Sequence, residues 1–151
     1  VSAESSSSGR FVRARSQHRD QILALLDGAG LPVEDVPHDL HSYRVWMDGD
    51  SVGGCCGLEQ PGNDVGLLRS LAVAPHLRGQ GLGRALLELV VADARERSVR
   101  ELFLLTTTAA AYFTSLGFQV VPRTDVPEPV RRTSEFTTTC PSSAVVMRRG
   151  I

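Results

Sequence analysis

The chain has 151 residues, 42% of them hydrophobic, with 16 basic and 17 acidic side chains and a formal charge of −1. That length supplies a real core for one globular domain, and the balanced charge favours neither nucleic acid nor an anionic membrane as a partner. No apolar run reaches the roughly eighteen residues of a membrane span, and the start of the chain is Ser-rich rather than an apolar leader, so a cytoplasmic protein is expected.

Val1 to Gly9 lacks the apolar residues that offset the entropy of ordering and reads as a disordered or appended tail. A single domain is expected over residues 10–151. Phe11 to Arg15 alternates like a strand. Gln17 to Asp27 carries Ile22, Leu23, Leu25 and Leu26 at helical spacing before Gly28 and Gly30 stop it. A second, shorter helical stretch is expected after Pro32. Tyr43 to Met47 and Ser51 to Leu58 flank Asp48-Gly49-Asp50 and read as a β-hairpin. Asp64 to Val73 supplies a strand, and Ala85 to Ala94 a helix. Leu102 to Leu105 reads as a short buried strand, and Ala109 to Leu116 as a short helix ended by Gly117. Phe118 to Val121 and Ala144 to Met147 complete a mixed, mostly antiparallel sheet with helices on its faces, an α/β (α+β) arrangement.

The segment joining the Asp64 strand to its helix reads V-A-P-H-L-R-G-Q-G-L-G-R, Val73 to Arg84. Glycines there let a ligand approach the backbone and let several N–H groups share one concavity, and the helix that begins there adds the positive end of its dipole. Such a joint suits a phosphate or pyrophosphate. A P-loop would need Gly, four residues, Gly, Lys and Ser or Thr, and no Lys lies nearby; a dinucleotide fingerprint would need its third glycine where Arg84 stands. Glycines at a strand-to-helix joint also serve close packing alone. What fits is Arg or Gln, two residues, Gly, one residue, Gly or Ala, met by Arg78, Gly81 and Gly83.

This pattern resembles the coenzyme A loop of the GNAT acyltransferases, and the order of elements from about Arg10 onward resembles the GNAT fold. The resemblance implies a sheet splayed at the acetyl-CoA site, with a bulge in the strand before the loop. It implies acetyl-CoA as co-substrate, held by Leu71, Ala72, Val73, Arg78, Gly79, Gln80, Gly81, Leu82, Gly83 and Arg84, mostly through backbone groups. Leu71 is also implied as catalytic, its amide polarising the thioester carbonyl. The segments Gly57-Leu58-Glu59, Leu67-Leu68-Arg69-Ser70-Leu71, Leu104-Leu105-Thr106-Thr107-Thr108 and Ser134-Glu135-Phe136 with Cys140-Pro141 look more closely like acetyltransferases of bacterial arsenic-resistance operons. They look more distantly like the acetyltransferase domain of N-acetylglutamate synthase. The implied reaction is direct acetyl transfer to the amine of a small molecule, an amino acid or an arsenic-containing analogue. A homodimer is implied as well.

The residues sharpen that chemistry. Glu59 is the candidate base, placed to take an amine proton through water, although an exposed glutamate at a strand end reads the same way. Arg69 stands two residues before Leu71 and either meets a substrate carboxylate or forms a structural ion pair; Glu135 carries the same two readings, substrate-binding or structural. Many GNAT enzymes donate the thiolate's proton from a Tyr four residues before the Gly of a Gly-Phe pair. Here Gly117-Phe118 puts Phe113 at that position and Tyr112 beside it, one residue and about 100° round the helix. Tyr112 is therefore not expected to be the acid. Cys55, Cys56 and Cys140 lack C-x-x-C spacing, so neither a disulfide framework nor a metal site is expected, and Cys55 and Cys56 should face opposite sides of a strand. The missing Tyr leaves a second function open, a non-catalytic acyl-CoA-binding regulatory module.

Overall fold

The structure is a computed structural model that describes residues 9–139 and 142–151. The expected tail, Gly9 apart, and Cys140 lie outside them. The chain runs β1 (Arg10–Arg13), α1 (Arg19–Gly28), β2 (Tyr43–Asp48), β3 (Ser51–Glu59), β4 (Val65–Val73), α2 (Leu82–Glu96), β5 (Glu101–Thr106), α3 (Ala110–Ser115), β6 (Gln119–Val121), α4 (Glu128–Arg131) and β7 (Val145–Gly150). The strands form a 7-stranded sheet in the order β1-β2-β3-β4-β5-β7-β6. Of the registers resolved, the one joining β4 to β5 is parallel, and those of β1 with β2, β2 with β3, β5 with β7 and β6 with β7 are antiparallel.

Two compact units divide the chain. The first comprises the residues up to Gly57 together with Ser70–Val90. Its core gathers Ile22 and Leu26 from α1, Tyr43 and Val45 from β2, Cys55 from β3 and Ala72 from β4, all buried. The hairpin forms as its turn chemistry requires, Gly49 taking a φ of 64°. Gln21 of α1 locks onto that hairpin, accepting from the Val52 amide (2.8 Å) and donating to the Asp50 carbonyl (3.3 Å).

The helix expected after Pro32 is absent: the described chain there makes turns. Pro37 bars Val36 from helical backbone, leaving too few residues after Pro32 for a stable helix. The segment is held instead by burial of Val36 and Leu40 in the core and by Arg19, whose guanidinium donates to the carbonyls of Val36 (3.1 Å) and Pro37.

The second unit comprises Leu58–Arg69 and Val91–Ile151. Val65 and Leu67 of β4, Phe103 and Leu105 of β5, Val126, Val130 of α4 and Val146 of β7 form its core. Strand β5 is central here, pairing with β4 over Val65–Leu67 and with β7 along its whole length. The short strands and helices thus depend on each other's apolar faces, since none buries enough surface alone.

A histidine in the first unit gives the fold a pH dependence. His18 is buried, its Nδ1 accepting the Arg15 amide (3.0 Å), and burial together with the Arg15 and Arg10 charges lowers its pKa from 6.5. Below that pH the unfolded chain takes up a proton the folded state still refuses. Stability is therefore complete above pH 6.5 and declines as pH falls from there through the folded-state pKa. Urea denaturation at pH 7.5 and at pH 5.5 should show this decline, and His18→Gln should flatten it; an unchanged slope in the variant would assign the decline to other groups.

Candidate active site

Strand β4 is built in two parts. Its parallel register with β5 runs from Val65↔Glu101 to Leu67↔Phe103, yet β4 itself continues to Val73. Past the paired stretch, Ser70 adopts a φ of 58°. Left-handed backbone costs a non-glycine residue about 1–2 kcal/mol, so something must hold it there. Two fully buried side chains do: the Tyr43 hydroxyl shares a hydrogen bond with Ser70 Oγ (2.9 Å), and the Cys55 thiol donates to the Ser70 carbonyl (3.2 Å). The left-handed residue thus stands immediately before Leu71. Leu71 and Val73 are half-buried, with Ala72 buried between them.

Beyond Val73 the chain makes a short 3-10 turn, Pro75–Leu77, and enters the glycine loop. Gly79 and Gly81 have φ values of 81° and 82°, which only glycine adopts without strain, and a Cβ added at either would meet open space. Arg78 closes the loop onto its own strand, Nε donating to the Val73 carbonyl (3.1 Å). The Ala85 amide bonds back to the Gly81 carbonyl (3.1 Å), so the amides at the start of α2 stand ahead of the helix's own hydrogen-bonding ladder. Positive backbone at alternate glycines, followed by a helix start, is a cradle for phosphate oxygens. Gly79, Gln80, Gly81 and Arg84 are all exposed there. His76 is exposed too, 3.8 Å from Asp48.

The carboxylates lie in the second unit. Arg69 of β4 is buried, its side chain 5% exposed. Its Nη1 donates to Glu59 Oε1 at the end of β3 (3.2 Å), and its Nε lies 3.5 Å from Glu135 Oε2. Of the two readings left open for Arg69, the structure realises the ion pair. One guanidinium thus faces two carboxylates. Glu135 is enclosed at 8% exposure, whereas Glu59 keeps 37% and opens on a pocket of about 280 Å³ that it lines with Pro61, Pro129, Arg132 and Thr133.

Four of those lining residues were not foreseen. Three of the four come from α4 and its exit, and the signal was legible: Pro127-Glu128-Pro129 places proline and an acidic side chain in a first helical turn. Arg132 pairs with Glu128 one turn back, and Thr133 caps α4 by donating to the Val130 carbonyl (2.7 Å). A π-helical turn, Glu135–Thr139, then carries Glu135 to Arg69.

Tyr112 is 44% exposed, while Phe113 is buried against Phe118 at 5.9 Å between ring centroids, as the one-residue offset predicts. Cys55 and Cys56 are buried free thiols; burial pushes Cys55 up to about 12 and Cys56 well above the usual thiol range, so both are inert. Among the described residues no cluster of His, Cys, Asp and Glu is arranged for a metal ion.

The chain belongs to the GNAT acetyltransferase family: the profile described as Acetyltransferase (GNAT) domain matches residues 39–120, more than half of it. Among curated relatives, an amino-acid acetyltransferase of Ralstonia nicotianae is 34% identical over 109 residues, 70% of this chain and 24% of that protein. One from Neisseria meningitidis is 30% identical over 154 residues, 92% of this chain and 34% of that protein. The chain thus spans about a quarter to a third of the length of these relatives. Among solved structures, N-acetylglutamate synthase from Neisseria gonorrhoeae, complexed with coenzyme A and N-acetyl-glutamate, superposes with a TM-score of 0.81 at 22% identity, over 95% of this chain and 35% of that one. Rv2747 from Mycobacterium tuberculosis, in complex with CoA, gives 0.79 at 22% identity, over 94% of this chain and 99% of that one.

Removing Arg69 should be destabilising rather than merely inhibitory, since the buried Glu135 would lose the guanidinium beside it. Arg69→Met is expected to cost about 3–5 kcal/mol, and adding Glu135→Leu should recover much of it. Denaturant titration of both variants checks this; equal losses in the single and double variants would remove Glu135 from the account.

Proposed function

We propose that this domain is an acetyl-CoA-dependent N-acetyltransferase acting on the amine of a small zwitterion, an amino acid in the first instance. The observation that carries the reading is the two-part β4, which ends its pairing with β5 at Leu67 and delivers Leu71, Ala72 and Val73 to the glycine loop. Residues so delivered have backbone groups to offer a pantetheine arm, and the loop from Arg78 to Arg84 offers its amides to the pyrophosphate. The curated amino-acid acetyltransferases support the acceptor class.

In this reading Glu59 takes the ammonium proton, directly or through water, and the amine lone pair attacks the thioester carbonyl. The Leu71 amide donates to the oxyanion as the tetrahedral intermediate forms. Its collapse restores the carbonyl, breaks the carbon–sulfur bond and releases the coenzyme A thiolate, and the extra proton on the acetylated nitrogen passes through water to that thiolate, Phe113 standing where many family members carry the acid. Arg69 holds Glu59 in place through its guanidinium, and Glu135 completes that support. The acceptor's carboxylate is met by Arg132, so the pocket that Glu59 lines has opposite partners for the two ends of a zwitterion. An arsenic-bearing amino-acid analogue has the same two ends and belongs in the acceptor panel. The homodimer implied by the resemblance is to be read from sedimentation.

Turnover of acetyl-CoA with a panel of amino acids tests the reaction. Tight binding without turnover of any amine would establish the non-catalytic module instead. Gly81→Asp, which sets a carboxylate against the pyrophosphate, should abolish acetyl-CoA binding in a folded protein. Glu59→Gln should lower the rate about a hundredfold or more, most severely at lower pH where the amine is protonated. Arg132→Met should raise the acceptor's KM and spare that of acetyl-CoA; losing both equally would remove Arg132 from the acceptor site. Tyr112→Phe should keep the maximal rate within about tenfold of the parent, below the usual contribution of a general acid.

A further inference from the structure

We infer that Tyr43 and Cys55 are positioning residues for the acetyl transfer, holding the peptide between Ser70 and Leu71 in the one orientation that aims the Leu71 amide at the thioester. The inference rests on the reading of Leu71 given above. In a trans peptide the carbonyl and the N–H point in opposite directions, and the described chain contains no cis peptide. The Cys55 thiol holds the Ser70 carbonyl at 3.2 Å, toward β3. The same bond therefore turns the Leu71 N–H away from β3.

The second grip acts on the torsion. Ser70 has an ordinary extended alternative to its φ of 58°, and relaxing to it would rotate the following peptide. The Tyr43 hydroxyl, 2.9 Å from Ser70 Oγ, opposes that relaxation. Tyr43 is itself immobilised: it is fully buried, and its ring lies over its pairing partner Gly57, where a Cβ would come within 2.4 Å of the ring. None of these side chains needs to touch a substrate. Their contribution is preorganisation of a donor that would otherwise swing.

Isotope-edited infrared spectroscopy of acetyl-CoA labelled at the thioester carbonyl and bound to the intact protein reads the donor directly. The parent protein should lower the carbonyl frequency on binding. Tyr43→Phe and Cys55→Ala should each return it most of the way to the unbound value while calorimetry finds acetyl-CoA affinity within about threefold; Cys55→Ser, which keeps a donor to the Ser70 carbonyl, should retain the lowered frequency. With a turned-over amine the first two variants should lose about tenfold or more in kcat with little change in the KM for acetyl-CoA, the mark of an interaction made in the transition state. Should Tyr43→Phe fail to fold, the Cys55 pair decides alone. Folded variants that keep the parent's frequency overturn the inference and leave the Leu71 reading standing. A parent protein that shows no lowering on binding overturns the Leu71 reading, and the inference with it.

Discussion

Everything at this site depends on a single residue leaving the extended conformation. A parallel ladder persists only while both strands keep β backbone. At Ser70, past the last pair with β5, the backbone turns left-handed, while β4 stays in the sheet beside β3 as far as Val73. Before it, Val65–Leu67 are tied to β5 and Arg69 to the carboxylates. After it come Leu71–Val73 and the glycines. A local departure of one residue therefore lies between a stretch of strand paired with β5 and a stretch that runs on to the glycine loop, within nine residues of continuous β4.

The buried charges follow a different logic. Enclosing Arg69 is unfavourable by itself, and two carboxylates offset the desolvation more fully than one would. The arrangement is asymmetric in exposure: Glu135 is sealed, while Glu59 reaches the pocket. Sealing one partner keeps the guanidinium from swinging out to solvent, and so the exposed carboxylate keeps a constant neighbour. Glu59 thus gains orientation from its surroundings without being withdrawn from solvent.

Much of this was legible in the chain itself. The hairpin was announced by Asp48-Gly49-Asp50, and the cradle by Arg78, Gly81 and Gly83, because glycine is selected by backbone geometry that other residues resist. That Tyr112 and Phe113 point different ways followed from helical periodicity alone. What stayed hidden depends on partners distant in sequence. Ser70 carries no mark of its left-handed turn, since the side chains that hold it stand on β2 and β3. The choice between ion pair and substrate ligand at Arg69 needed the placement of Glu135, carried there by a π-helical turn that no periodicity signals. The stretch after Pro32 was misread because apolar Val33 and Val36 suit a helix as well as the turns that Pro37 enforces.

The fit between Gly57 and the Tyr43 ring has a meaning for how this sequence can drift. A methyl group at position 57 would meet the ring at 2.4 Å, so no residue larger than glycine is admissible while the ring remains. Nor does a smaller residue at position 43 come free, for it opens a void in a close-packed core. The two positions are thus bound into one heritable unit, changeable together or not at all. A lineage that exchanged both would have to find a new way of keeping Ser70 bent before it could keep its chemistry.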